Sequence, residues 1–191
     1  MNIKILEESA SAVAEYAKVS IAFGVESHLR VELIDNGLGG IRLIEEKLEA
    51  PYTKDYDAVR GEGPTRWAKR WDLSNWGILS AFDNDRRIGG AVVAWNTPGL
   101  DMLGGQRDIA ALWDIRVAPE YRRSGVGAQL FDRAAAWARE RACRALTVET
   151  QNINVPACKF YARKGCQLAA INRYAYPDLP NEVQVIWRIE L

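Results

Sequence analysis

The stretch ALWDIRVAPEYRRSGVGAQL, residues 111–130, decides the fold. Its first part, ALWDIRVAP (111–119), predicts a strand that ends at a proline. Its last part opens a helix from Val126 to about Arg141, with apolar residues at Val126, Leu130, Ala134, Trp137 and Ala138. Those are helical spacings for one buried face. Next comes ALTVETQ (145–151), a second strand. Strand, helix, strand in this order predicts a right-handed crossover and a parallel pair. The loop from Ala118 to Gly127 then lies beyond the carboxyl end of the first strand, where α/β sheets bind ligands. A helix start offers unpaired amides and a positive dipole end. Gly125 and Gly127 lack a Cβ, so backbone can approach a ligand closely, and Arg122 and Arg123 add charge. Such a loop suits a pyrophosphate, although an ordinary turn into a helix fits so short a pattern equally well.

Two named alternatives fail. A phosphate loop of the Walker kind needs Gly-Lys-Ser/Thr, and the chain has Gly127-Ala128-Gln129. A dinucleotide fingerprint needs GxGxxG directly after the strand, whereas GVGAQL lacks the third glycine and residues 118–124 intervene here.

The flanking sequence predicts a mixed sheet with helices packed on it, in a single domain spanning residues 1–191. A strand at Ile3–Leu6 leads into a helix through Ala17. Strand-like segments follow near Ser20–Val25, Arg30–Ile34 and Ile41–Leu48, with PYTKDYD (51–57) as loop. GPTRWAKRW (63–71) reads as a short helix, with Pro64 in its first turn. WGILSAFDNDRRIGGAVVAWN (76–96) is a hairpin about Asp83-Asn84-Asp85, and TPGLDMLGGQRD (97–108) reads as a mobile surface loop. A second helix, Val155–Lys164, stops at Gly165. Strands at 166–174 and 183–189, joined by a turn at PDLPN, close the chain.

Composition excludes several classes. With 25 basic and 25 acidic residues, no general field for duplex nucleic acid is expected. No apolar run reaches membrane-spanning length, and the N-terminus lacks the apolar core of a signal peptide, so a cytoplasmic protein is expected. Three cysteines without CxxC spacing predict small buried residues and argue against disulfides or zinc. A single histidine, His28, excludes a histidine triad or a multi-histidine metal centre, and no metal is expected.

The pattern V-x-P-E-Y-R-R-x-G-x-G-x-x-L (117–130) resembles the acyl-coenzyme A loop of the GNAT superfamily of N-acyltransferases. The family's Arg/Gln-x-x-Gly-x-Gly/Ala falls on Arg122, Gly125 and Gly127. A second signature, N-x-x-A-x-x-F-Y-x-x-x-G, falls on Asn154, Ala157, Phe160, Tyr161 and Gly165. EAPYTKDYD (49–57), ETQNINVPACKFY (149–161) and VQVIWRIEL (183–191) resemble the streptothricin acetyltransferase branch. Two features depart from it: Gly165-Cys166 stands where Gly-Phe is usual, and the 97–106 loop is long.

The resemblance implies a GNAT-like central sheet with a splayed parallel strand pair, and acetyl-CoA as cofactor. It implies a cradle of Arg122, Arg123, Ser124, Gly125, Val126, Gly127 and Ala128. Asn154, Ala157 and Phe160 join it from the second signature. Ile115 and Val117 run beside the pantetheine, on a strand that a bulge splays from its neighbour.

Acetyl transfer to an amine also needs a proton donor for the departing thiolate and a neutral nucleophile. The resemblance makes Tyr161 the acid, since an unperturbed tyrosine holds its proton up to a pKa of ~10. For the base, Asp114 and Glu149 rank equally, because charges inside apolar strands are costly unless paired or facing a cleft. Asp114 shares strand parity with Leu112 and Arg116, and an ion pair with Arg116 is its structural alternative.

Streptothricin is a polycation with free amines, so its site should be acidic. Tyr52, Asp55, Tyr56 and Asp57 are the expected acceptor contacts, with Asp72 and Trp67 as further acidic and aromatic candidates. Other acceptors in the same class are a polyamine, an aminoglycoside or a protein lysine, and a non-catalytic acyl-CoA sensor stands as the alternative outside it. The ending WRIEL (187–191) is a candidate for strand pairing across a homodimer.

Overall fold

The computed structural model describes residues 3–191. In chain order the elements are β1 (Ile3–Glu8), α1 (Val13–Tyr16), β2 (Phe23–Ile34), β3 (Gly40–Lys54), β4 (Trp76–Asp83), β5 (Arg86–Trp95) and β6 (Ile109–Val117). They continue with α2 (Val126–Arg139), β7 (Ala145–Gln151), α3 (Val155–Arg163), β8 (Gln167–Asn172) and β9 (Gln184–Glu190). The chain divides into two compact units. One takes the chain up to Ala22, then Asp55–Val148 and Arg188–Leu191; the other takes Phe23–Lys54 and Glu149–Trp187.

In the first unit the strand order is β1-β4-β5-β6-β7. The expected hairpin is β4 and β5, turning at Asn84 with a left-handed φ of 53°. Helix α2 buries Val126, Leu130, Phe131, Ala134, Ala135, Trp137 and Ala138, which contains the whole stripe read from its spacing. The cluster on Tyr16 holds Val13, Trp67, Trp76, Val92 and Ala111, with Trp71 and Trp113 packed at its margin. The segment 97–108 lies at the surface as expected, with residues 98, 99, 101 and 104–108 exposed. It forms a 3-10 turn at Asp101–Leu103, and Leu100 and Leu103 are only 4% and 2% exposed. Apolar residues three apart share one side of so tight a turn, so these two leucines tie the loop to the core.

The expected parallel pair is present and short. Strand β6 pairs with β7 from Ile109↔Ala145 to Leu112↔Val148 and no further. On its other side β6 pairs with β5 as Val93↔Leu112 and then Val92↔Asp114, which leaves Trp113 as an extra residue. This β-bulge bends the strand at the point where pairing with β7 stops. It also changes which residues share a face. Cross-strand partners share a face and neighbours along a strand do not. Leu112 therefore sides with Val93, whereas Asp114 and Arg116 side with Val92 and Gly90, toward Tyr16. The parity that grouped Asp114 with Leu112 is thus broken by the bulge, and only its grouping with Arg116 holds.

In the second unit β2 and β3 form a long two-stranded antiparallel sheet. The segments near 20–25 and 30–34 merge into one strand, and β3 runs on through Lys54 where loop was expected from Pro51. The register jumps from Val25↔Tyr52 to Ser27↔Lys47, so Pro51 lies in an unpaired bulge where its missing N–H is not needed. Helix α3 starts at Asn154 and ends in a Schellman turn, with Cys166 N donating to the Tyr161 carbonyl and Gly165 at φ 85°. Beyond it the order is β7-β9-β8. Most of WRIEL lies in β9. The three cysteines are free and buried, and burial pushes the thiol of Cys158 up to about 12 and that of Cys166 up to about 11.

Candidate active site

The loop after β6 is built by its own backbone and by Arg122. A 3-10 turn at Pro119–Tyr121 follows the strand, Arg123 adopts a left-handed φ of 61°, and Gly125 caps α2 at φ 90°. The guanidinium of Arg122 turns inward. Its Nε donates to the Val117 carbonyl at 2.9 Å and its Nη2 to the Ala22 carbonyl at 2.8 Å. Arg122 thus braces the loop against backbone carbonyls, and both it and Arg123 are exposed. Ser124 Oγ donates to the Tyr121 carbonyl.

The first-turn amides of α2, from Val126, Gly127 and Ala128, have no partner within the helix. A Cβ on Gly125 would meet nothing within 4 Å, and one on Gly127 only Val117 Cγ2 at 3.8 Å. Protein packing therefore leaves room for a side chain at both positions. The open space in front of unpaired amides is what close approach by a pyrophosphate requires. Past the bulge, Ile115 and Val117 pair only with β5, so the opposite edge of β6 keeps backbone groups available to an extended pantetheine.

Asp114 lies in a largely buried network in this unit. Arg116 Nε and Nη2 donate to it at 2.9 and 2.6 Å, and the Tyr16 hydroxyl donates to its Oδ1. The Arg116 side chain is 0% exposed and Asp114 7%. Asp57 completes the network by accepting from Arg116 Nη1 at 2.6 Å and Nη2 at 3.3 Å. Burial alone would lower the affinity of Arg116 for its proton, but the charge of Asp114 and its hydrogen bonds outweigh that and raise it. Burial, then the Asp114 charge, drive the Tyr16 hydroxyl well above the usual tyrosine range. Asp114 therefore has the structural partner foreseen for it. Asp57, expected to face a cationic acceptor, has both oxygens on Arg116.

Glu149, in the second unit, has neutral partners. Its Oε1 accepts from the Tyr176 hydroxyl at 2.6 Å and its Oε2 from the Gln184 amide at 2.7 Å. Tyr176 in turn accepts from Gln151 Nε2 at 3.0 Å. Burial, then the neighbouring Glu149 charge, raise the Tyr176 hydroxyl far above its usual range. Tyr161, on α3 of the same unit, is 4% exposed, with its ring 5.3 Å from that of Phe160 in an edge-on contact. Asn154 caps α3, its Oδ1 accepting from the Ala157 amide at 3.2 Å.

The expected acceptor residues divide. Tyr52 is exposed on β3, Asp55 is exposed and Tyr56 half-buried. Asp55 Oδ1 accepts from the Asp57 amide at 3.0 Å. Trp67 is core, with ring centroids 6.1 Å from Tyr16 and 5.9 Å from Trp76, so it offers no open aromatic face. Asp72 is turned to the amide and hydroxyl of Ser74. His28 lies on β2, its Nε2 3.6 Å from Glu46. Among the described residues no group of three or more His, Cys, Asp or Glu is arranged to hold a metal. Likewise no helix there is long and apolar enough to cross a membrane.

Tyr16, Tyr176 and Gln184 escaped the sequence reading. Tyr16 lies 98 residues before its carboxylate and Tyr176 27 after, in segments that carry no motif.

Residues 41–166 match the Acetyltransferase (GNAT) family. Streptothricin acetyltransferase A of Bacillus subtilis (strain 168) is 40% identical over 80 residues, which is 41% of this chain but only 46% of that protein. Streptothricin acetyltransferase of Escherichia coli is 28% identical over 98% of this chain and 94% of its own length. A protein from Bacillus anthracis str. Ames, solved in complex with acetyl coenzyme A, superposes with a TM-score of 0.77 at 25% identity over the whole of both chains. The loop, the bulged β6 and the short parallel pair are thus those of a known acyltransferase architecture, and the chain belongs to the GNAT acetyltransferase family.

Proposed function

We propose that the chain, as one domain, moves the acetyl group of acetyl-CoA onto a primary amine of a small cationic acceptor, with streptothricin the first to test. The observation that carries this reading is the end of β6–β7 pairing at Leu112↔Val148, beside the Trp113 bulge and ahead of the open glycine loop. Acetyl-CoA supplies the thioester when bound. Amides of residues 123–128 would hold its pyrophosphate, and Asn154 acts by setting the start of α3. The backbone of Ile115 and Val117 aligns the pantetheine and fixes the carbonyl.

Glu149 takes the proton from the acceptor ammonium, directly or through a water. Its two neutral donors fix its orientation without placing a cation on it. Asp114 is left out of the base role because its oxygens are already taken by Arg116 and the Tyr16 hydroxyl. Tyr161 gives its proton to the leaving thiolate. Tyr52, Asp55 and Tyr56 meet the cationic acceptor. The relatives named streptothricin acetyltransferase support that choice.

The test mixes purified protein with acetyl-CoA and follows free thiol release against streptothricin, polyamines and aminoglycosides. Release with streptothricin alone supports the full reading. Release with another amine keeps the reaction and replaces the acceptor. Acetyl-CoA binding with no release on any amine overturns the catalytic assignment.

A further inference from the structure

Asp57 holds a position that the acceptor reading does not explain. It opens the loop 55–63 after β3, and both of its oxygens lie on a guanidinium that is 0% exposed. That guanidinium belongs to Arg116, three residues beyond the Trp113 bulge. Arg116 also holds Asp114 on β6, donates to the Val19 carbonyl at 3.0 Å, and stacks 5.0 Å from the Tyr16 ring centroid. The loop folds about this anchor. The Asp57 amide donates to Asp55 Oδ1 at 3.0 Å, and Gly63 at φ 91° sits so that a Cβ there would be 3.5 Å from Asp57 Oδ1. A second tie, from Arg70 Nη2 to the Gly61 carbonyl at 3.0 Å, holds the far end of the loop without reaching β6.

We propose that Asp57 is a positioning residue that acts through Arg116, fixing the acceptor loop 55–63 to the splayed end of β6. This rests on the acceptor reading of that loop given above. A bidentate guanidinium–carboxylate contact fixes distance and orientation together, which a single hydrogen bond from a flexible loop does not. The loop's place relative to the thioester-bearing edge is then set by one buried side chain. Two carboxylates around one guanidinium leave a net negative charge, so direct attraction of a cationic acceptor by Asp57 is the competing account. The two accounts differ in what they couple to.

The experiment compares wild type, Asp57→Asn, Arg116→Lys and the double variant. It measures thiol-release kinetics with a monoamine, a polyamine and streptothricin, acetyl-CoA binding by calorimetry, and hydrogen exchange of the amides of residues 55–63. Asp57→Asn is expected to raise acceptor KM by about tenfold, by the same factor for every acceptor, as loss of alignment does. Acetyl-CoA affinity should stay within about twofold and exchange in 55–63 should accelerate, with the double variant no worse than Arg116→Lys alone. A KM effect that grows with acceptor charge, or independent additive losses, would overturn the positioning role in favour of direct contact. If wild type releases thiol with no amine, the acceptor reading fails on its own. The exchange arm still decides the anchor, and unchanged exchange in Asp57→Asn removes it.

Discussion

The two carboxylates that looked equivalent in the sequence live in opposite surroundings. Asp114 is held by a buried guanidinium and a tyrosine hydroxyl, while Glu149 is held by a tyrosine hydroxyl and an amide. Both are well hydrogen-bonded. The difference lies in the charge of the partner. Asp114 is one half of a buried ion pair, whereas Glu149 is held by neutral donors. Strand position and burial do not separate the two cases, but the partner's charge does.

The largest effect should come from Glu149→Gln. Loss of a general base typically lowers turnover by about 10²–10⁴-fold, and acetyl-CoA affinity should be retained. Equal loss of kcat in Asp114→Asn, at matched folding and with unchanged stability, would break the contrast. Tyr161→Phe should likewise lower kcat, by about 10²-fold, and spare acetyl-CoA binding. Wild-type turnover in that variant removes Tyr161 from the chemistry.

On stability the order reverses. Arg116→Ala strands two carboxylates and should cost about 3–5 kcal/mol in urea denaturation, against less than about 1.5 kcal/mol for Glu149→Gln, which keeps an acceptor oxygen for one of its two donors. Gly90→Ala tests the same network from below. Its Cβ would lie 2.5 Å from Tyr16 Cε2, so the ring must shift, at about 1–3 kcal/mol. The smallest signal concerns the thiols. With Cys158 raised to about 12 and Cys166 to about 11, a disulfide reagent at pH 8 should find both unreactive in the folded protein and reactive in urea. Rapid labelling of native Cys158 would contradict its burial.

The segment from β6 through α2 to β7 was legible to within about two residues, with β6 running over Ile109–Val117 rather than 111–119, because strand and helix periods, a proline and two glycines mark it locally. What the sequence hid is non-local. Arg116 meets Asp57 across 59 residues, and Glu149 meets Tyr176 across 27, with no spacing rule to announce either. The run of β3 past Pro51 was hidden because only the register with β2 reveals a bulge there. The surface loop 97–108 was legible from its glycines and proline, but the two leucines that tie it to the core were not.

The bulge at Trp113 works on β6 as a frameshift works on a reading frame. Alternation of faces counts residues, and one supernumerary residue changes the count for all that follows. Deleting Trp113 itself would keep every later residue opposite its present partner on β5, giving a regular ladder and a straighter strand. Deleting one residue between Asp114 and Val117 would instead send those beyond the gap to the wrong side. Length variation in this strand is therefore tolerable, in terms of facing, at a single position. That position is also where the pairing of β6 with β7 stops.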